Sequence, residues 1–495
     1  MEFNSVATLI ALPLALSPVA YLVERLDRKI HLLHSNLHLM RWMALLILAL
    51  AWGVFGIAAH DFDTDGTLTY RASMVTLQLD GLSLLVCGTI LALGTLVAIY
   101  SIDYMAEDDA ADKYYALLLL LMGTMLGLVC TRDLFNLWVW FEAMAISASF
   151  LVAFYREQSA SLEAGVKYIV QSAVGSAFIL LGIALILAET GTVDLQEIAQ
   201  TSQHAPVFWA AGGLFVAGFG VKMALVPFHT WLPDAHAQAP SGISAMLSGV
   251  VIEVALIALL RTLGSLAFSW GTLLIGFGAV NMLVGNLLAL RQTLIKRMLA
   301  YSSLSQMGYM VFGIGVGIYA HSMNGFEGGL FHFFNHALMK GLAFLAVGAF
   351  IYILDTHQPL KISDLRGASQ RYPLIALALS LALLGLGGLP PLAGFMSKWQ
   401  IFAAGMAVHE SAITGLVIFA ALNSVLSLAY YAPVINVLYS RQNTPEISQG
   451  RRVPITIGLP LLVMAVAIVV SGVDPGLLHG ILEPAARVLF TAFGG

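Results

Sequence analysis

Apolar runs of about twenty residues recur from one end of the chain to the other, separated by short polar stretches. A run of that length is what an α-helix needs to cross the hydrocarbon core of a bilayer. The pattern predicts an all-α polytopic membrane protein with fourteen transmembrane helices, at about 5–24, 41–60, 77–101, 113–130, 134–155, 163–188, 207–228, 241–262, 268–290, 294–319, 325–354, 372–407, 411–439 and 453–473. Helices seven and twelve are broken. Pro227 interrupts one, and Pro390 and Pro391, preceded by Gly385, Gly387 and Gly388, interrupt the other. Paired interrupted helices are a signature of inverted repeats with a site at mid-membrane. The expected organisation is one membrane domain over residues 1–495. Helices 1–3 lie in 1–112, two inverted five-helix repeats in 113–265 and 266–440, and helix 14 with a tail in 441–495.

Composition agrees. Of 495 residues, 59% are hydrophobic and only 10% charged, against about 25% charged in a soluble domain. Mean hydropathy is +0.86. A net charge of −5 gives no reason to expect nucleic acid. The first run, Ser5 to Leu22, has no basic segment before it and is expected to be a retained helix rather than a signal peptide. Cys87 and Cys130 both stand in apolar surroundings and read as small buried hydrophobes. An iron–sulfur cluster takes four thiolates, and the chain has no CxxC. The two "GFG" stretches, at Gly218 and Gly276, fall inside membrane helices rather than after strands. No cofactor and no metal are expected in this chain, so any redox chemistry belongs to another.

Cytoplasmic loops collect lysine and arginine. With both termini outside, the inner loops hold fifteen basic residues and the outer loops four, and the acidic "HDFDTDG" falls outside. Only the acidic "AEDDAAD" loop fits its inner position poorly. This arrangement leaves Lys167, Lys222, Lys340 and Lys398 within the membrane, together with Glu142 and Glu253. An ionisable side chain at the bilayer centre costs about 2.5–3.5 kcal/mol on insertion scales, and such residues face a bundle interior or an ion path.

Glu142 lies nine residues beyond Asp133 in "DLFNLWVWFEAMAIS", more than two turns from the outer surface. A buried lone carboxyl becomes neutral, and a lysine partner keeps it charged and switchable. Lys222 is the expected partner and Lys167, in "EAGVKYIVQS", the second choice. Pro227 frees a carbonyl, and irregular backbone at membrane depth is tolerated where it is buried in protein or lines a wet cavity. The broken helix thus supplies polar surroundings for Lys222, and Lys398 is the counterpart seven residues after Pro391. In "FHFFNHALMKGLAFL", His332, His336 and Lys340 are four apart and project from one helix face, as a proton relay requires. His229 and His236, with Asp234, flank the inner mouth of the first break and read either as a proton entrance or as a capped loop. Lys296 and Arg297 read as anchors at the start of helix ten, with Tyr301, Ser302, Ser303 and Ser305 deeper in as hosts for water.

The stretches "DLFNLWVWFE", "VKMALVPFHTWLPDAH", "LIKRMLAYSSLSQMGYM", "FHFFNHALMKGLAFL" and "LPPLAGFMSK" resemble the antiporter-like subunits shared by respiratory complex I, the Mrp sodium/proton antiporters and energy-converting membrane-bound hydrogenases. The resemblance implies the fourteen helices, the two repeats, and a proton half-channel in each repeat joined along a central polar axis. By position, Glu142 matches the family's helix-five glutamate, Lys222 its helix-seven lysine and Lys398 its helix-twelve lysine or glutamate. His332, His336 and Lys340 match the central relay, and Lys167 resembles the helix-six lysine. One position departs. Glu253, in "SAMLSGVVIEVALIALLR", stands where most of the family has a lysine on helix eight. It is expected to relay protons, to compete with Glu142 for Lys222, or to pair with a neighbouring subunit.

The function these readings imply is translocation of protons, or of another cation such as sodium, by one subunit of a multi-subunit complex in a bacterial or archaeal inner membrane. Its expected partners are homologous antiporter-like and small membrane subunits, and its driving reaction is redox chemistry of the NADH:quinone oxidoreductase or hydrogenase kind, or ion exchange, elsewhere. Protons would enter from the cytoplasm to Lys222, pass His332, His336 and Lys340, and leave by Lys398 to the outside. The alternatives are a D-type subunit of an Mrp-like antiporter without a redox partner, and a stand-alone secondary transporter.

Overall fold

The structure is a computed structural model that describes residues 4–30, 39–72, 75–201, 206–356, 358–442 and 444–495. Two long helices, α1 (Ser5–Ile30) and α2 (Leu39–Asp65), precede an antiparallel hairpin of β1 (Leu68–Ala72) and β2 (Val75–Leu79), with Leu68 opposite Leu79. The hairpin corrects the third expected span. Residues 77–79 are paired in a strand, and α3 (Gly81–Tyr104) starts only at Gly81, where the Asp80 carboxylate accepts the Ser83 N–H at 2.8 Å. An aspartate cap satisfies one of the free donors of a first turn, and it outweighs the apolar residues before it.

Next come α4 (Ala111–Cys130), α5 (Leu134–Val152), α6 (Ser159–Thr190) and the short α7 (Leu195–Gln200). The first broken element follows: α8 (Pro206–Lys222) ends at Lys222, and the chain turns irregularly through Pro227 before α9 (Leu232–Gln238). Ala224 there has φ 56, a conformation that favours glycine, and it is braced from outside. Asn281 Oδ1 accepts the Val226 N–H at 2.8 Å, and its Nδ2 reaches the Ala224 carbonyl at 3.5 Å. A continuous run, Ser241–Gly264, comprises α10 (Ser241–Met246), a π-helical stretch at Leu247–Val251, and α11 (Ile252–Gly264).

The second half contains α12 (Gly271–Ala289), α13 (Ile295–Tyr319) and α14 (Met323–Ile353). The second broken element follows as α15 (Pro373–Gly387) and α16 (Ala393–Met406), then α17 (Ser411–Leu438), α18 (Pro445–Gln449) and α19 (Ile455–Val473). A final helix, α20 (His479–Ala492), packs on α3 and α14, where the hydropathy pattern predicted only a tail.

Among the described residues, eleven helices are long and apolar enough to cross a membrane, and Pro206–Lys222 and Pro373–Gly387 are shorter apolar helices. The expected span at 294–319 forms a helix, Ile295–Tyr319, that is not among these eleven, and the seventh expected span ends early, at Lys222. α14 and the Ser241–Gly264 run form the interior, with 89% and 100% of their apolar windows buried. α12 and α13 cross closely because both carry glycine at the contact: a Cβ on Gly308 would lie 2.6 Å from the Gly278 carbonyl. Small residues of this kind let membrane helices approach backbone to backbone. The outside is apolar, with Val166, Leu422 and Val425 among many large hydrophobic side chains left exposed.

Candidate functional site

Both expected lysines sit at helix breaks, and both meet the C-terminal end of a half-helix. Lys222 is the last residue of α8. Lys398 lies one turn into α16, but its Nζ reaches back and donates to the Leu386 carbonyl at 2.7 Å, next to the end of α15. The C-terminus of a helix carries partial negative charge from its unpaired carbonyls, so each break offers an ammonium a site without an anion beside it.

The Lys222 pocket is aromatic. Lys222 is 1% exposed. Its Nζ donates to the Tyr168 hydroxyl and, at 3.4 Å, to Ser172, and it stands over the Tyr168 ring at 4.1 Å from the centroid. The Glu142 partnership takes a longer-range form than the sequence suggests. Among the described residues no ion pair joins Glu142 to Lys222, although the Glu142 charge acts on the ammonium, and Glu142 Oε1 is buried without a hydrogen-bond partner.

Lys167 is not a partner of Glu142. It is 44% exposed and pairs with Glu163 at 2.6 Å and Asp234 at 3.0 Å, because it lies at the end of α6 that meets α9. Asp234 also takes Arg297 at 2.6 Å. His229 lies partly buried and edge-on to Tyr301, while His236 is fully buried and stacked on Phe344 at 4.6 Å, and among the described residues neither ring nitrogen of His236 has a hydrogen-bond partner. Lys296 corrects its reading as an anchor. It is 3% exposed and donates to the Ala239 carbonyl at 2.6 Å, close enough for its charge, with that of Lys340, to act on His236.

The interior helices α11, α13 and α14 hold a further group of buried polar side chains. Glu253 is fully buried, and its Oε1 lies 2.5 Å from His336 Nδ1. It therefore pairs within its own chain, neither with a neighbouring subunit nor with Lys222. The π-helical stretch immediately before it, Leu247–Val251, adds width to the turn; such bulges concentrate at functional sites. The His336 and His332 rings are 6.3 Å apart between centroids. His332 contacts Ser397 at 2.9 Å through Nδ1 and Gln306 at 3.0 Å through Nε2. Gln306 in turn donates to the Leu386 carbonyl at 3.0 Å, the same oxygen that accepts from Lys398. Lys398 completes its shell with Ser424 at 3.0 Å and the Tyr309 ring at 4.4 Å. Beside this run, Lys340 donates to Ser302 at 2.6 Å and to the Leu299 carbonyl at 2.8 Å, and Ser302 bonds Tyr431.

His332, His336 and Lys340 are thus on one face, as their spacing predicts, yet they diverge: His332 toward Lys398, His336 toward Glu253, Lys340 toward Ser302. Gln306 and Tyr168 escaped the sequence reading. A glutamine amid an apolar helix was the available signal for the first; nothing local marks the second. Among the described residues no three His, Cys, Asp or Glu side chains converge as metal ligands would. The geometry gathers titratable groups in two contacts, Glu253 with His336 and His332 with Gln306, with the two histidine rings 6.3 Å apart and Lys398 sharing the Leu386 carbonyl with Gln306.

A family model described as "NADH:quinone oxidoreductase/Mrp antiporter, TM" matches residues 131–427, and one described as "NADH-Ubiquinone oxidoreductase (complex I), chain 5 N-terminus" matches residues 70–115. The chain belongs to this family. It is 33% identical over 439 residues to F(420)H(2) dehydrogenase subunit N of Methanosarcina mazei, covering 86% of this chain and 87% of that one. It is 33% identical over 433 residues to NADH-quinone oxidoreductase subunit N 2 of Acidobacterium capsulatum, covering 84% and 85%. A chain in the structure of the membrane-bound sulfane sulfur reductase, an archaeal respiratory membrane complex, superposes with TM-score 0.87 at 29% identity over 98% of this chain and 97% of that one. As a member of this family, the chain is a multi-pass membrane protein. The first family match spans both broken helices and every residue from Glu142 to Lys398 described above.

Proposed function

We propose that the chain carries protons across an energy-transducing membrane through the buried run between its two broken helices. Family membership makes it a cation-translocating membrane subunit of a multi-subunit complex. The observation that carries the finer reading is the buried row Glu253, His336, His332, Gln306 and Lys398, at or near zero exposure, in which the two histidine rings lie 6.3 Å apart and Gln306 and Lys398 share the Leu386 carbonyl. Buried ionisable groups are expensive in a membrane and mark ion routes, and this row runs from a carboxylate to an ammonium at a helix break.

In this reading the chain spans the membrane fourteen times, with both termini outside and two inverted five-helix repeats that each present one broken helix and one lysine. Protons enter from the cytoplasmic side past Asp234 and His236, titrate Lys222 and Lys296, and transfer through Lys340, Glu253 and the two histidines to Lys398. They leave on the outer side. Glu142 sets the proton affinity of Lys222 from a distance, and a small approach of the two would raise it. The driving reaction, redox or ion exchange, takes place on partner subunits, and no cofactor acts in this chain. The test is proton flux in proteoliposomes holding the intact assembly. Lys222→Ala should abolish pumping while the subunit still assembles; wild-type pumping by that variant overturns the role of Lys222.

A further inference from the structure

At the edge of the molecule where α15 and α19 begin, a cavity of about 660 Å³ opens between the two helices. Arg371 and Arg452 stand on its rim, and Leu374, Ile455, Leu459 and Leu462 form its walls. The wall residues are 43%, 82%, 46% and 46% exposed, and the apolar surface continues along the helices through Leu377 and Val466. Side chains of this kind face acyl chains.

The rim is charged without compensation. Arg451, which also touches the cavity, is neutralised by Glu107 at 2.9 Å and Asp355 at 2.6 Å. Arg371 donates to the Gly450 carbonyl at 3.0 Å and lies 5.7 Å from the Tyr372 ring centroid, and among the described residues neither it nor Arg452 has a carboxylate at ion-pair distance. The N-termini of α15 and α19, fifteen and nineteen residues long, open at the same edge and add positive potential. Guanidinium forks match phosphate oxygens in geometry and charge, and basic pockets between membrane helices are built for anionic head groups.

We propose that this cavity binds an anionic glycerophospholipid, with its phosphate between Arg371 and Arg452 and its acyl chains against Leu374, Leu459 and Leu462. Charge complementarity selects a lipid over a neighbouring apolar protein helix, which would leave two guanidiniums unpaired at the interface. The site lies apart from the polar run and is independent of the proton route.

Native mass spectrometry of the intact assembly, delipidated and returned to mixed phosphatidylglycerol and phosphatidylcholine, tests it. Phosphatidylglycerol should be retained in preference. The preference should fall about thirty-fold in an Arg371→Gln, Arg452→Gln double variant and survive in the corresponding lysine variant. Because Arg371 also holds Gly450, the single Arg452→Gln change, which breaks no ion pair or hydrogen bond among the described residues, provides the fold-neutral arm and should cost about fivefold. Equal retention of the two lipids, or retention unchanged in the glutamine variants, overturns the proposal. So does displacement of the lipid by inorganic phosphate alone, or photocrosslinking from position 459 into a protein subunit rather than into lipid.

Discussion

His336 Nδ1 lies 2.5 Å from Glu253 Oε1, and neither side chain is exposed. A carboxylate of α11 thus meets an imidazole of α14, two groups 83 residues apart in the chain.

That pairing should be sensitive to either partner. Glu253→Ala leaves a buried imidazole unsatisfied, which costs about 1–3 kcal/mol and should lower the melting temperature of the assembly as well as its proton flux. Glu253→Gln keeps the hydrogen bond but not the titration, so stability should stay near wild type while flux falls. Equal flux in the glutamine variant and the wild type, measured with a pH-sensitive dye, would remove Glu253 from the route.

Gln306 is the group that joins His332 to the carbonyl shared with Lys398. Gln306→Leu should reduce flux by about tenfold or more, the scale of a lost proton-transfer contact, with assembly unchanged. Ser305→Ala is the internal comparison, since Ser305 Oγ lies buried one residue away without a hydrogen-bond partner among the described residues. Similar losses in both would mean that packing in α13, rather than the polar path, controls the rate.

Tyr168 and Ser172 are the two hydroxyls that receive the Lys222 ammonium. Removing one hydrogen bond to a charged group costs about 1.5–3 kcal/mol, so Tyr168→Phe should destabilise the protonated lysine and slow its loading. The pH profile of pumping should shift to lower pH, because the lysine then binds its proton less tightly. An unshifted profile would show that the ring, not the hydroxyl, sets the site.

Asp80 and Arg261 form a buried, two-pronged pair at 2.9 and 2.8 Å, with Ser83 joining the guanidinium at 2.7 Å. Burial pushes the Asp80 carboxyl up, but the Arg261 charge and the hydrogen bonds from Arg261 and Ser83 together hold it below its ordinary value. A depressed folded value means the ionised form favours the fold. The contribution is complete above the unfolded value of about 3.9 and disappears as pH falls through the folded one. Thermal stability of the wild type should therefore drop on acidification below about pH 4. Asp80→Asn should lose about 3–5 kcal/mol near neutrality by leaving Arg261 unpaired and show a flatter acid limb.

Several features were legible before any coordinates. Runs of twenty apolar residues, two proline breaks and three side chains spaced by four are one-dimensional signals, and the helices and the shared face of His332, His336 and Lys340 followed from them. Surroundings were less legible. The acidic "AEDDAAD" loop gives no hint of its partner, Arg451, which is distant in sequence and pairs with Glu107 at 2.9 Å. Lys167 and Lys296 exchanged expectations: the one read as buried is 44% exposed at its side chain and ion-paired, and the one read as an anchor is 3% exposed in the interior. The two cysteines, read only as small hydrophobes, are both fully buried with their Sγ atoms 3.9 Å apart.

The sequence by itself determined that this chain crosses a membrane and where its helices break, because hydrophobic length and backbone chemistry act locally. Only the tertiary structure decided which group faces which. Glu253 meets His336, Gln306 links His332 to Lys398, and Lys222 turns to Tyr168 because of how separate helices cross, and a hydrogen bond between residues far apart in sequence depends on distances that no local pattern encodes.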